Sequence, residues 1–167
     1  FCQRVLKDNA FEAGGLFDSG AFVLLSHDDL TRTTGVTKNL YQQPAQSNDS
    51  VQTNDRFGET LASGDFDGDG FDDLAVGAVS NNITEQAALG AQADAGSAYL
   101  YMSDAGAGFA LDTHITHVTL NDHVFGGDNL GRGLAFGRFE GGSRAALAVG
   151  APYADYYSYE GDPTISN

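Results

Sequence analysis

The chain has 167 residues, enough for one domain with its own core but short for two. It carries 8 lysine and arginine residues against 23 aspartate and glutamate residues, and the resulting net charge of −15 argues against nucleic acid and anionic membranes as partners. A single cysteine excludes an internal disulfide framework and a cysteine-rich zinc site. Apolar runs such as Ala21–Leu25 are far shorter than the roughly 20 residues that cross a membrane as a helix, so we expect no membrane insertion.

Short apolar runs bounded by Gly, Asp or Asn predict β-strands joined by turns, and helical periodicity is scarce. The spacing of these runs favours an all-β fold over alternating strands and helices. The polar segments Pro44–Asn54 and Asn81–Ala95 predict surface loops. In chain order, the predicted strand runs are Ala21–Ser26, Leu74–Val79, Ser97–Met102, Ile115–Leu120 and Leu147–Ala151.

An internal repeat organises the chain. Asp55–Ser80 is followed by a similar segment, Asp128–Tyr153, at an offset of 73 residues without a gap. The pentapeptide Leu74–Ala78 returns unchanged as Leu147–Ala151. The repeat predicts the end of one unit plus a loop in residues 1–54, a complete unit in 55–127, and the first half of another in 128–167.

The complete unit is predicted to form four strands, at about Glu59–Asp65, Asp73–Val79, Gly96–Ser103 and His114–Asn121. Both faces of the second strand are apolar or small, so we expect it to be covered on both sides. Stacked four-stranded antiparallel sheets of this repeat length are typical of β-propeller blades. Two blades alone would leave open sheet edges, so we expect the chain to be part of a larger propeller or to complete one with other chains.

The segment Arg56–Val79 resembles the FG-GAP repeat of integrin α-type β-propellers. Phe57-Gly58 corresponds to the FG, and Gly77-Ala78-Val79 and Gly150-Ala151-Pro152 to the GAP. The resemblance implies a partial propeller from a secreted or cell-surface protein, without enzymatic activity. It also implies a role in adhesion, extracellular assembly or ligand binding, with a protein or glycan ligand or other propeller chains as partners.

The aspartate-rich segment inside this motif predicts a calcium site. Asp65–Asp73 follows the pattern D-x-D-x-D-G-x-x-D, and Ca²⁺ takes about six to eight oxygen ligands. Gly70, at the sixth position, permits the positive φ that the loop needs, whereas Val76 stands where an EF-hand needs glutamate. The alternative is an exposed acidic turn without metal, and Asp72 is predicted to be a surface charge in either case. The predicted ligands are the side chains of Asp65, Asp67, Asp69 and Asp73 and the backbone carbonyl of Phe71.

We expect calcium to have a structural role, because carboxylates held in one loop repel each other without the metal. A loop in which protein groups supply all the ligands is poorly suited to Lewis-acid catalysis. Extracellular calcium concentrations suit a structural site of modest affinity. The offset of 73 places Arg138, Glu140, Gly142 and Ala146 at the ligand positions of the second copy, so we expect no site there. Arg138 either pairs with Glu140 or is exposed to solvent.

No catalytic constellation is found, so we expect a protein that is not an enzyme. Two alternatives stay open, an accessory propeller domain or subunit of a secreted enzyme and a subunit of an extracellular filament. His114, His117 and His123 are close in sequence, but strand alternation would turn the first two to opposite faces, which favours surface or core histidines over a shared metal site.

Other features carry weaker signals. Asn48 and Asn82 begin glycosylation sequons in predicted loops. Four tyrosines near the C-terminus indicate either an interface or packing at a strand edge. Cys2 is a free or buried thiol by default, and an interchain disulfide is the alternative. The four tyrosines are Tyr153, Tyr156, Tyr157 and Tyr159.

Overall fold

A computed structural model describes residues 52–84, 92–104, 108–120, 125–139 and 144–154, together with the backbone of residues 21–24 and 38–41. The described residues form antiparallel strands and no helix, which confirms the predicted all-β fold. The strands are β1 (Ala21–Leu24), β2 (Lys38–Tyr41), β3 (Phe57–Gly64), β4 (Asp73–Ala78), β5 (Ser97–Asp104), β6 (Gly108–Ile115), β7 (Gly133–Gly137) and β8 (Ala146–Gly150).

The strands β3 to β6 form a four-stranded sheet in which each strand pairs with the next one along the chain. One row of cross-strand neighbours runs through the sheet, from Leu61 to Val76, Tyr99 and His114. This simple up-and-down order needs only hairpin connections, which suits a chain rich in Gly and Asp. The predicted blade of four antiparallel strands is therefore confirmed.

The β7–β8 hairpin repeats the β3–β4 hairpin in register as well as in sequence. Gly133 lies opposite Gly150, as Thr60 lies opposite Gly77, and every partner is displaced by the same 73 residues. The two hairpins touch directly, since the Thr60 hydroxyl donates a hydrogen bond to the carbonyl of Gly131. The division into units at residues 1–54, 55–127 and 128–167 stays a prediction.

The first repeat buries an apolar cluster on one face of its sheet. Every residue of β4 is buried, so the expected coverage of both its faces is confirmed. The ring of Phe57 packs edge-on against Tyr99, with centroids 5.3 Å apart, and such pairs add to the gain from burial. Burial raises the pKa of Tyr101 to about 12. The cluster consists of Phe57, Leu74, Val76, Ala78, Tyr99 and Tyr101.

The second repeat packs on the other face of β3, at Gly64. A Cβ atom on Gly64 would lie 2.5 Å from the Cβ of Phe136, so only glycine allows this approach. The ring of Phe136 also meets Phe66 edge-on, with centroids 6.3 Å apart. A glycine in one repeat thus receives an aromatic side chain from the next.

The fourth strand is Gly108–Ile115, so the prediction of a strand over His114–Asn121 is wrong, and so is the predicted run Ile115–Leu120. Residues 117–120 form a turn instead. Thr116 and Thr119 stabilise it, because each hydroxyl oxygen accepts a hydrogen bond from the backbone N–H of the other residue, at 3.2 and 2.8 Å. Threonine favours strands in general, but here its hydroxyl competes for the backbone and ends the strand.

The prediction of a surface loop over Asn81–Ala95 is wrong at both of its ends. Asn81, Ile83 and Ala95 are buried. The Asn81 amide donates a hydrogen bond to the Ser97 hydroxyl at 2.9 Å, and Ile83 pairs with Gln92 through two backbone hydrogen bonds. The first bond holds the start of the segment against β5, and the other two hold its two ends together. Most of the other predicted loop, Pro44–Asn54, lies outside the described residues.

Candidate metal centre

The aspartate-rich segment forms the tight connection between β3 and β4. Gly64 and Asp73 pair at the end of the hairpin, so the residues between them must reverse direction over a short distance. Gly70 has φ of 94°, a region that side chains other than glycine rarely adopt, which confirms the predicted positive φ. The sequence therefore folds into a compact loop that turns its backbone N–H groups inward.

Three of the predicted ligands come together at the base of this loop. One carboxylate oxygen from each of Asp65, Asp67 and Asp73 lies within 4.8 Å of the others. Asp73 is fully buried, Asp65 is partly buried and Asp67 is exposed. Carboxylate oxygens are the donors that calcium prefers, so the donor set fits this ion.

Backbone amides orient two of these carboxylates. Asp65 accepts hydrogen bonds from the N–H of Gly68 at 2.7 Å and of Gly70 at 3.2 Å, one on each oxygen. Asp67 accepts one from the N–H of Asp69 at 3.0 Å. A carboxylate oxygen has two acceptor sites, so each of these oxygens keeps capacity for a cation.

Asp73 is held more firmly than the other two. One of its oxygens accepts the N–H of Phe66 at 2.8 Å and the other accepts the N–H of Ser103, in β5, at 2.9 Å. Hydrogen bonds from backbone N–H groups to a carboxylate are among the strong ones, and they offset part of the cost of burying the charge. Asp73 therefore ties the loop to the sheet.

The other two predicted ligands are placed differently. Asp69 lies outside the group of three, and its carboxylate accepts the N–H of Phe71 at 2.8 Å. The side chain of Phe71 is 50% exposed. The roles of Asp69 and of the Phe71 carbonyl as ligands stay predictions. Asp72 is exposed, as predicted.

The second hairpin has a different set of residues at the equivalent positions. Arg138 is exposed and Ala146 is partly buried at the start of β8. Glu140 and Gly142 lie outside the described residues, so pairing between Arg138 and Glu140 stays a prediction. Of the two positions that the structure describes here, neither offers a carboxylate.

A contact between the second repeat and the loop of the first was not predicted from the sequence. The N–H of Ala145 donates a hydrogen bond to the backbone carbonyl of Asp65 at 2.9 Å. The Cγ atom of Arg144 lies 3.1 Å from the place where a Cβ on Gly68 would stand. The repeat aligns Arg144 with Phe71, and nothing in that pairing signals a contact between repeats.

The two described histidines of the predicted group are core residues. His114 and His117 are 8% and 3% exposed. The ring of His114 stacks on Tyr99 at 4.3 Å, and burial lowers the pKa of His114 to about 4. His117 lies in the turn after β6 rather than in a strand, so the predicted strand alternation does not apply to it. His123 lies outside the described residues.

The side chain of Asn82, at the described sequon, is engaged at both of its polar atoms. Its amide donates to the Gln52 side chain and its oxygen accepts the N–H of Asp94, both at 2.8 Å.

Tyr153 is 61% exposed, and Arg132 lies over its ring at 5.7 Å. The remaining candidates lie outside the described residues: Cys2, Asn48, Tyr156, Tyr157 and Tyr159.

One of the comparisons with known proteins agrees with the geometry of the first repeat. No curated protein matches the chain at a significant level. The described residues include no helix that could span a membrane. The profile of the FG-GAP repeat matches residues 57–101, from the first residue of β3 into β5 and through the whole aspartate-rich loop. Residues 57–101 are therefore an FG-GAP repeat.

Proposed function

We propose that the chain is a calcium-binding, non-enzymatic segment of a β-propeller from a secreted or cell-surface protein. The observation that carries this proposal is the convergence of Asp65, Asp67 and Asp73 within 4.8 Å in the β3–β4 loop of an FG-GAP repeat. Calcium would be held by these carboxylates, with Asp69 and the Phe71 carbonyl as further ligands. Its contribution would be to neutralise the loop and hold the hairpin.

The position of the loop supports a structural rather than a catalytic role. Asp73 accepts one backbone N–H from the loop and one from β5, so calcium on its carboxylate would stabilise the connection between β3, β4 and β5. Binding to the folded state alone raises the free energy of unfolding by an amount that grows with calcium concentration. A site of modest affinity fits the calcium levels outside cells, which is consistent with the proposed location.

Calcium titration calorimetry tests the proposal. We expect one calcium per chain, and we expect Asp67→Asn to weaken binding strongly because it removes an exposed ligand charge. Asp72→Asn is the matched control, since Asp72 carries the same charge in the same loop but lies outside the group of three. Absence of calcium binding, or equal loss in the two variants, would contradict the proposed site.

The same proposal includes other copies of the chain as partners that extend the propeller. The face of the first hairpin that carries Gly64 is covered by the second repeat through Phe136. In the second hairpin, the equivalent Gly137 is approached only by the ring of Phe139 among its three nearest contacts, and Phe139 is 66% exposed. A further blade packed on this face would bury that ring.

Native mass spectrometry in calcium tests this partner. We expect oligomers of the wild-type chain, and we expect Phe139→Ser to shift them toward the monomer because it removes the exposed apolar side chain. Leu120→Ser is a control at another exposed apolar residue, which is 56% exposed in the turn after β6. A wild-type monomer would contradict the proposal that copies of this chain cover the face.

Adhesion, assembly and ligand binding are the roles proposed for the assembled propeller, with a protein or glycan as ligand.

A further inference from the structure

Asp65 makes hydrogen bonds both within the β3–β4 loop of the first repeat and to the second repeat. Its carboxylate is oriented inside the loop by the N–H groups of Gly68 and Gly70. Its backbone carbonyl accepts the N–H of Ala145, in the second repeat, at 2.9 Å. A shift of Asp65 would therefore change the loop and the contact between repeats together.

The contact continues through the neighbouring side chain and strand. The aliphatic stem of Arg144 covers Gly68, with its Cγ 3.1 Å from the place of a Cβ on that glycine. Ala145 directly precedes β8, which pairs with β7 along its whole length. The strand β7 in turn carries Phe136, which packs against Gly64 of β3. The loop is thus connected through Ala145, β8 and β7 to Phe136, which packs on β3.

We propose that calcium binding in the β3–β4 loop and docking of the second repeat on the first are coupled through Asp65, with Ala145 as a positioning residue for the metal loop. This inference rests on the proposed calcium site. Without calcium, repulsion among the carboxylates favours an expanded loop, in which the Asp65 carbonyl leaves the Ala145 amide. With calcium, the loop is closed and the hydrogen bond is kept.

Coupling of this kind is reciprocal. If calcium strengthens the contact with Ala145, then the contact strengthens calcium binding by the same factor. The expected factor is that of one hydrogen bond between backbone groups, which corresponds to a change of several-fold and at most about tenfold in affinity. The second repeat would then tune a metal site to which it contributes no ligand.

Hydrogen–deuterium exchange of the wild-type chain tests the effect of calcium on the second repeat. We expect the amides of residues 145–150 to exchange more slowly in calcium than in EDTA. The turn at residues 116–120 is the internal control, since the amides of Thr116, Thr119 and Leu120 donate their hydrogen bonds within the turn and not to the loop. Equal exchange of residues 145–150 in both conditions, with calcium binding observed by calorimetry, would overturn the coupling while leaving the metal site intact.

The reciprocal effect is tested by removing the amide donor. Ala145→Pro eliminates the N–H that reaches Asp65, and we expect calcium affinity to fall several-fold. Ala154→Pro is the control, because it removes an N–H of the same repeat that binds the carbonyl of Ala151 and not the loop. Unchanged affinity in Ala145→Pro would overturn the role of Ala145. Absence of calcium binding in the wild-type chain would overturn the proposed function and this inference together.

Discussion

The imidazole of His117 lies 3.4 Å from the carboxylate of Asp128, and both side chains are almost fully buried. His117 belongs to the turn that follows the first four-stranded sheet, whereas Asp128 precedes the β7–β8 hairpin. The same carboxylate accepts the N–H of Phe125 at 3.0 Å. The pair therefore joins the end of one repeat to the start of the next through a buried contact.

Breaking this contact should destabilise the chain. We expect His117→Ala and Asp128→Ala each to lower the free energy of unfolding by about 1–3 kcal/mol, because each removes one member of a buried contact between imidazole and carboxylate. The double variant should cost less than the sum of the two, with a coupling energy of about 0.5 kcal/mol or more in a double-mutant cycle. Urea unfolding measures the free energy of unfolding of the wild-type chain, the two single variants and the double variant. Strict additivity of the losses would show that the two side chains do not interact.

Acid should destabilise the fold through His114. Its pKa is lowered to about 4 in the folded chain by burial, against 6.5 ordinarily, so the unfolded chain binds the proton more tightly. Stability contributed by the neutral ring is present above pH 6.5 and is lost as the pH falls from about 6.5 toward about 4. The loss should approach about 1.4 kcal/mol per pH unit in this window.

His114→Phe keeps an aromatic ring beside Tyr99 and removes the titration. We expect urea unfolding of this variant between pH 4 and 6.5 to depend less on pH than that of the wild-type chain. The measurements belong in EDTA throughout, so that no metal is bound at any pH. An identical pH dependence in both proteins would show that other groups carry the acid sensitivity.

Gly64 should not tolerate a larger side chain at the contact between the repeats. Gly64→Ala places a Cβ against the Cβ of Phe136, so we expect a loss of about 1–3 kcal/mol from overpacking. Gly133→Ala is the matched control, since a Cβ on Gly133 meets open space. Thermal unfolding in calcium compares the two variants, and equal melting temperatures would contradict the close approach of Phe136.

Substitutions at Asp73 and Asp67 should distinguish the contribution of the loop to folding from its contribution to calcium binding. Asp73→Ala removes two hydrogen bonds from a buried carboxylate, so we expect it to lower the melting temperature in EDTA as well as in calcium. Asp67→Ala removes an exposed side chain, so we expect it to change the melting temperature mainly in calcium. Equal effects of both variants in EDTA would contradict this division.

Much of the first repeat could be predicted from local pattern. The run Leu74–Val79 predicted a strand covered on both faces, and β4 is buried at every residue. The spacing of Asp65, Asp67 and Asp73 predicted that their carboxylates come together, and one oxygen of each lies within 4.8 Å of the others, whereas their role as calcium ligands stays a prediction. The buried strand and the convergence of the carboxylates could be predicted because short-range spacing and alternation decide them.

Two predictions failed because long-range contacts or side-chain hydrogen bonds outweighed the local pattern. The run Ile115–Leu120 has strand-forming residues, but Thr116 and Thr119 bond each other's backbone and end the strand. The ends of Asn81–Ala95 are polar or small, yet pairing with the sheet buries them. Neither effect has a signature in residue type alone.

The amino-acid sequence by itself determined the repeat, the strand-rich character of the chain and the acidic loop, since these depend on residues close together along the backbone. Only the tertiary structure decided that Phe136 lies over Gly64, that Ala145 reaches the carbonyl of Asp65, and that His117 meets Asp128. These contacts join residues from different elements. Their partners are chosen by how the two hairpins pack, which no local pattern specifies.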